Sequence, residues 1–318
     1  MATGTTTNYG DDIGIGRVYR DGFTQAVFKN NHLLGLTVNG TPIFPQLPAG
    51  DQSYRWKVAT SANTSTAVFT EGASAPTPVA IVPVNAVVSP TYFWAWIRIT
   101  GHVRDADNLG MIDAEFVGAR EDLVDLMNTS FMGSSTNGLE VSIDSTTTYA
   151  GIARGSAAYW ESSETAHSAV LSRTGLLNIH ETARDNDKGA HTTLILLPHN
   201  QATNYVALTG EPNAQNSSLR VELGLVGGGA MDLAPSVRNL SFMGIPIVPL
   251  PDFTNTVILG LDTNPIRVGP KFGLSVRRDF DVRGPQMSGD DDVYEVSTAA
   301  TLINHLPRTD WKLTGVTA

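Results

Sequence analysis

Cysteine is absent from the 318-residue chain, which removes disulfide scaffolds, thiolate nucleophiles, iron–sulfur clusters and cysteine-ligated zinc from consideration. Charge is scarce as well: Asp, Glu, Lys and Arg make up 16% of residues, against ~25% in an average soluble domain. No segment approaches the ~18–20 consecutive apolar residues that span a bilayer. The richest runs, 79–88 and 92–97, are short, and Pro83 and Asn85 interrupt the first. The opening MATGTTTNYGDDIGIG has neither a basic cluster nor an apolar stretch, so it does not read as a signal peptide and a cytosol-like compartment is expected. A Lys/Arg-rich arm is missing too. Net charge is −10 and the first basic residue is Arg17, so any relation to nucleic acid is expected to be enclosure or exclusion, not tight binding.

What is present points to a β-rich protein. The chain holds 30 Gly and 17 Pro, with abundant Ser and Thr and 41% apolar residues. A compact chain of this length buries roughly 75% of its unfolded surface, so a sizeable core is available. The composition argues against a helical bundle or coiled coil, which needs Ala, Glu, Lys and Leu.

The pattern along the chain supports α+β. Residues 1–50 carry scattered apolar anchors (Val18, Phe23, Val27, Phe28, Leu33, Leu34, Leu36) without a lasting period, as expected of an arm laid along another surface. Residues 54–58 alternate, with Tyr54, Trp56 and Val58 against Arg55 and Lys57, which predicts a strand. A small, polar stretch at 59–78 follows, with Ala67, Val68 and Phe69 at its centre, and β-type segments return at 79–88 and 92–100. The last places Tyr92, Trp94 and Trp96 on one face and Phe93, Ala95, Ile97 and Ile99 on the other, so both faces need cover. Residues 51–100 thus read as a long hairpin that needs a partner surface, because an isolated hairpin is marginal in water.

The clearest helix is predicted over 109–132, where Leu109, Ile112, Phe116, Ala119, Leu123 and Met127 recur at spacings of three and four. Asp107 or Asn108 would cap it, Asp113 and Glu115 would suit its first turns, and Gly133 would end it. A second helix is expected over about 165–185, interrupted by Gly175. From 190 onward the chain reads as mostly β: 193–197, 221–225, 256–261, 274–283 and 293–303, with a polar tip at 288–292. In the fourth of these, Leu274, Val276, Phe280 and Val282 alternate with Arg277, Asp279, Asp281 and Arg283. That charged face suits either pairing with another molecule or plain solvation.

No catalytic constellation stands out. Asp185, Asp187 and Gly189 resemble the start of a calcium loop, as do Asp105, Asp107 and Gly110. A calcium loop wants glycine at its sixth position and glutamate at its twelfth; the first has its glycine one position early and the second has Phe116 in place of the glutamate. Asp290, Asp291 and Asp292 suit a solvated turn that discourages edge pairing. The histidines (His32, His102, His167, His180, His191, His199, His305) are scattered without the close pairing of a zinc hydrolase. GxSxG and GxxxxGK[ST] are absent, and Gly14 and Gly16 lack the rest of a dinucleotide fingerprint. The reading is of a non-enzyme without cofactor or metal.

Several stretches together resemble tailed-bacteriophage major capsid proteins of the Hong Kong 97 type. Tyr54-Arg-Trp-Lys, continuing through Ala67-Val-Phe-Thr-Glu71-Gly72 to Ile97-Arg-Ile-Thr-Gly101, is similar to that family's extended E-loop and its return. The helix at 109–132 follows where the family has its spine helix. Thr148-Tyr149-Ala-Gly151-Ile152-Ala-Arg154-Gly155, then Tyr159-Trp160, resembles a Tyr-x-Gly-Ile-x-Arg stretch with a following aromatic, although Ala153 stands where an acidic residue is frequent. Ser241-Phe-Met-Gly244-Ile-Pro246-Ile-Val248, Val257 to Asp262, and the closing 293–303 and 312–315 complete the order.

The resemblance implies an α+β Hong Kong 97-like capsid fold. It would comprise an N-terminal arm at 1–48, an E-loop at 49–100, a peripheral domain at 101–140 and 270–318 holding the spine helix, and an axial domain at 141–269. It implies pentamers and hexamers of the chain closing an icosahedral shell around double-stranded DNA, assembled in a bacterial cytoplasm as a virion capsid. It further implies a portal, a separate scaffolding protein and a possible decoration protein as partners, with no membrane. Tyr54, Arg55, Trp56, Lys57, Phe69 and Glu71 would contact the adjacent subunit from the E-loop, and Arg277, Asp279, Asp281 and Arg283 could pair across subunits. Some relatives crosslink lysine to asparagine; Lys57 lies in the E-loop region and Lys29 in the arm, but nothing here identifies the acceptor asparagine or an assisting glutamate. Three other readings stay open: an encapsulin-type nanocompartment, a β-rich surface or tail-fibre module, and an enzyme of unrecognised type.

Overall fold

The strand that holds the molecule together is unbroken apolar sequence. Leu194–Pro198 (LILLP) is buried along its whole length, which only a central strand covered on both faces can be. The computed structural model describes residues 33–38, 41–47, 53–59, 83–101, 109–133, 138–156, 159–186, 191–209, 221–223, 240–251, 253–266, 269–288 and 291–317. In chain order the strands are β1 (Leu36–Val38), β2 (Thr41–Pro42), β3 (Gln46–Leu47), β4 (Tyr54–Val58), β5 (Val84–Val88), β6 (Thr91–Ile99), β7 (Ser163–Ala166), β8 (Leu194–Pro198), β9 (Val221–Leu223), β10 (Ser241–Phe242), β11 (Ile245–Leu250), β12 (Ile258–Leu261), β13 (Phe272–Ser288), β14 (Asp291–Asn304) and β15 (Trp311–Thr314). The α-helices are α1 (Leu109–Met132), α2 (Leu139–Ser142), α3 (Arg173–Asn186) and α4 (His199–Thr209).

Among the described residues the strands form four sheets: β2-β1-β9, the β4-β5 pair and two larger ones that organise the rest. The six-stranded one runs β10-β11-β8-β12-β15-β7 and is mixed: β11 and β8 are parallel, as are β15 and β7, while β12 is antiparallel to both its neighbours. Its alternating side chains feed two cores. Ile195, Leu197, Ile258 and Leu313 pack with Leu176, Ile179 and Ala183 of α3 and Tyr205 of α4. Leu194, Leu196, Val248 and Leu259 face the larger core that also holds α1. At the centre, Gly260 lies against the Trp311 ring so closely that an added Cβ would stand 2.0 Å from it. Trp311 in turn donates its indole N–H to Thr192 at 2.9 Å.

The four-stranded sheet runs β3-β13-β14-β6. Its inner face receives α1, where Phe93 meets Phe131 edge-on at 5.6 Å and Tyr294 meets Phe116 at 5.5 Å. The buried residues of α1, including Phe116, Ala119, Leu123, Met127 and Phe131, follow the expected stripe, and Gly133 ends the helix with its amide on the Thr129 carbonyl. At ~1.5 Å per residue its 24 residues span about 36 Å. Its first turn holds no acidic residue, and Glu115 comes too far along to complement the helix dipole. The expected caps, Asp107 and Asn108, lie outside the described residues.

Four expectations change. First, residues 33–38 and 41–47 lie along this chain's own body: Leu33, Leu36, Ile43 and Phe44 join the main core, Phe44 packs on Phe272 at 5.5 Å, and β3 pairs with β13. Second, among the described residues the hairpin pairs β4 with β5, and β6 leaves it after Ser89 and Pro90 to pair with β14 along nine residues. Third, 163–166 is a strand, and α3 starts at Arg173, where the Ser172 hydroxyl receives the Gly175 amide at 3.0 Å. Gly175 falls in the first turn and makes room for the His167 ring, which an added Cβ would approach to 2.5 Å. Fourth, 199–209 is a helix set directly after β8, within the segment expected to be mostly β.

Candidate functional site

Two regions gather the residues singled out in the sequence. The first is the base of the β4–β5 hairpin. Alternation turns Trp56 toward Trp160 at 6.2 Å and His305 at 5.2 Å, while Tyr54 meets His305 at 5.5 Å. Nδ1 of His305 faces the Pro270 and Lys271 carbonyls at 3.0 and 3.1 Å, so it carries the proton, and Nε2 accepts from the Tyr54 hydroxyl at 3.1 Å. Burial pushes the His305 pKa down, which favours the neutral ring, and the two carbonyls at Nδ1 set its tautomer. Tyr54 and Trp56 are therefore engaged within their own subunit, while Arg55 and Lys57 point into solvent. Phe69 and Glu71 lie outside the described residues.

The floor under this hairpin is the Tyr149–Trp160 stretch. Ala150 and Gly151 both have positive φ (52° and 76°), as in a type I′ turn, and Tyr149 and Ile152 exchange backbone hydrogen bonds across it. Tyr149 stacks on Trp160 at 6.0 Å, and the Val87 amide of β5 donates to the Ala150 carbonyl at 2.9 Å. Burial pushes the Tyr149 hydroxyl up to about 12, and it accepts from the Asn304 amide at 2.9 Å. Arg154 is fully buried; it donates to the carbonyls of Val141 (3.1 Å), Ser142 (2.6 Å) and Asp144, and to the Ser162 hydroxyl at 3.0 Å. Burial lowers its pKa to about 10, so it stays charged at neutral pH.

Next to that arginine, Asp144 accepts from Lys312 at 2.5 Å and from the Thr146 and Thr147 amides at 2.8 Å each. Burial alone would raise the Asp144 carboxyl, but these donors outweigh it and hold it well below the usual carboxylate range. A depressed folded-state pKa contributes stability above the unfolded value, near 4, that is lost as pH falls below it. Glu140 and Asp310, both pushed up by burial, act in the opposite sense. The expected result is thus a comparison: Asp144→Asn melts lower than the parent at pH 7, and the gap narrows toward pH 2. A gap that stays constant in a thermal-melt series would contradict the assignment.

The second region is the outer face of the four-stranded sheet. Register places Tyr92, Trp94 and Trp96 of β6 opposite Ala299, Ser297 and Glu295 of β14, which in turn oppose Arg278, Asp281 and Arg283 of β13. Irregularities between Val276 and Arg278, and between Arg278 and Asp281, break the simple alternation of β13. They bring Arg278 onto this face, where it pairs with Asp281; Arg283 pairs with the same carboxylate at 3.0 Å. These donors hold the Asp281 carboxyl below its ordinary value despite the raising effect of burial. Arg277 donates to the Tyr92 hydroxyl and lies over its ring at 5.9 Å. The side chain of Asp279 is outside what is described. Arg98 pairs with Asp291, so at least one carboxylate of the acidic turn serves an ion pair.

Among the described residues no cluster of His, Asp and Glu could hold a metal ion. Trp160 and His305 under the hairpin, and Arg278 and Asp291 on the outer face, were not expected as partners of the residues singled out. Alternation alone cannot reveal Arg278, because a bulge changes its face.

Neither a protein-family model nor a curated protein matches this chain. Solved structures do. The chain aligns with the capsid asymmetric unit of cyanophage A-1(L) at TM-score 0.63 and 12% identity, covering 100% of this chain and 96% of that one. The fold is of the Hong Kong 97 type. An encapsulin complex from Synechococcus elongatus shares it at TM-score 0.55 and 12% identity, over 86% of this chain and 85% of that one. A virus-like particle from Pyrococcus furiosus shares it at TM-score 0.51 and 13% identity, over 93% and 98%. Within this Hong Kong 97-type fold, β5 passes into β6 through Ser89 and Pro90, so the hairpin base and the Tyr92 end of the outer face are neighbours along the chain.

Proposed function

We propose that the chain is a shell subunit, the major capsid protein of a tailed phage. In this reading, copies of it assemble through pentamers and hexamers into an icosahedral shell around double-stranded DNA. The observation that carries it is the end-to-end match to a cyanophage capsid subunit, 100% of this chain against 96% of that one. The net charge of −10 fits, since an acidic wall does not adhere to DNA moved past it. The arm expected at 1–48 would be confined to residues ahead of 33 and the E-loop expected at 49–100 to residues before β6, with 101–140 and 270–318 the peripheral domain and 141–269 the axial domain. Arg55, Lys57, Phe69 and Glu71 would reach the adjacent subunit, with Tyr54 and Trp56 anchoring the hairpin from which they project. Portal, scaffolding and decoration proteins would be the partners, and the virion capsid, built in the host cytoplasm, the location.

The encapsulin match supports a second reading, a nanocompartment shell with protein contents. Purified chain imaged by negative-stain electron microscopy, with light scattering for mass, is expected to show closed shells or rings of five and six. A species of 33.9 kDa that never assembles would overturn both readings. Nuclease-protected, genome-length DNA in particles isolated from cells decides for the phage capsid, and a packaged enzyme decides for the nanocompartment.

A further inference from the structure

The outer face of the four-stranded sheet carries three large aromatic side chains side by side on one strand. Tyr92, Trp94 and Trp96 are 50%, 59% and 56% exposed in the isolated subunit, while Phe93 and Ile97 of the same strand are buried under α1. Aromatics at alternate positions of one strand stand ~7 Å apart and form a continuous apolar ridge. The sheet backs this ridge rigidly, with β6 paired along its length to β14 and β14 to β13. A strand apolar on both faces needs cover on both, and the described residues cover only one.

The surroundings say what the cover is. Arg98, Arg277, Arg278 and Arg283 rim the ridge, against Asp281, Asp291 and Glu295. Four arginines against three carboxylates nearly balance among the described residues, so the ridge is not a cationic surface. The solved structures that share the fold are assemblies, a capsid asymmetric unit and an encapsulin complex, so the cover this face meets is a second copy of the chain. Trp, Tyr and Arg are also the residues enriched at the centres of protein–protein interfaces. A single strand of nucleic acid could stack on such a ridge. Against it, the arginines are already engaged: Arg98 by Asp291, Arg278 and Arg283 by Asp281, and Arg277 by Tyr92. The overall negative charge opposes phosphate as well.

We infer that Tyr92, Trp94 and Trp96 form a docking ridge for a second copy of this chain, buried on assembly. The inference rests on the shell reading and specifies which face closes the contact. Hydroxyl-radical footprinting of the wild-type chain, free and in particles, reads it directly: oxidation of the three aromatics is expected to fall at least about tenfold in particles. Trp94→Lys with Trp96→Lys is expected to keep the parent's melting temperature and lower particle yield by at least about tenfold, as for loss of interface anchors. Wild-type particles in which the ridge oxidises as in the free subunit would overturn the inference and leave the shell reading standing. So would particles forming normally from the double variant. Protection of the ridge in free subunits by oligothymidylate would overturn it in favour of a nucleic-acid platform. A wild-type chain that never assembles takes down the shell reading and the inference with it.

Discussion

Arg154→Met is expected to lower the stability of the subunit by at least about 3 kcal/mol, because each buried acceptor left without a donor costs roughly 1–3 kcal/mol. The guanidinium serves the carbonyls of Val141, Ser142 and Asp144 and the hydroxyl of Ser162 at once, with no exposed surface of its own. Methionine replaces the bulk and none of the donors. Lysine should be intermediate, since one ammonium cannot reproduce the planar, five-donor fork. The effect should spread to the hairpin, because the Tyr149–Trp160 floor that receives Trp56 and Val87 is held against 141–144 through this side chain. Urea denaturation measures the loss, and limited proteolysis at the hairpin measures its spread. Parent-like midpoints for both variants would mean that other donors satisfy these carbonyls.

The second large effect is an asymmetry between single and double substitution at a buried ion pair. Lys271 and Asp310 stand 2.6 Å apart with side chains 1% and 0% exposed. Asp310 also accepts from the Asp262 amide at 2.9 Å and the Asn304 side chain at 2.8 Å, and Lys271 donates to Thr309. This knot ties the start of β13 and the end of β14 to the turn before β15. Asp310→Ala leaves an ammonium buried without its counter-charge and should cost about 3–5 kcal/mol. Lys271→Met with Asp310→Leu removes both charges and should cost less than the single change, since apolar replacement of a whole buried pair is often neutral or better. Equal or larger losses for the double variant, measured by urea midpoints, would show that the hydrogen bonds to Asp262 and Asn304 matter more than the charge pair.

The boundaries of α1 were legible because helix formation there is local: apolar spacing of three and four runs unbroken from 109, and Gly133 stops it. The strand at 54–58, the apolar runs around 194–198 and 258–261, and the middles of the long strands, expected at 274–283 and 293–303, were legible for the same reason, whereas both strands run on into the expected polar tip, to Ser288 and from Asp291. Helix α4 was not, since His199–Thr209 mixes polar and apolar residues, and only Gln201, Ala202 and Tyr205 are inside. The two sides of β6 were also foreseen, although its partner was not. Which strand lies beside another depends on contacts between residues far apart in sequence: β6 pairs with β14, some two hundred positions away.

Composition and local pattern by themselves determined that this is a cysteine-free, weakly charged α+β chain with one long amphipathic helix and a strand needing cover on both faces. The tertiary structure alone decided four things. Residues 33–38 and 41–47 lie on their own body, and Trp56 sits on Trp160 and His305. A bulge carries Arg278 onto the face of Asp281 and Arg283. That same face leaves Trp94 and Trp96 open. The physical reason is common to all four. A side chain's periodicity is set by the backbone around it, but its neighbours are set by register, and one inserted residue reverses every face beyond it.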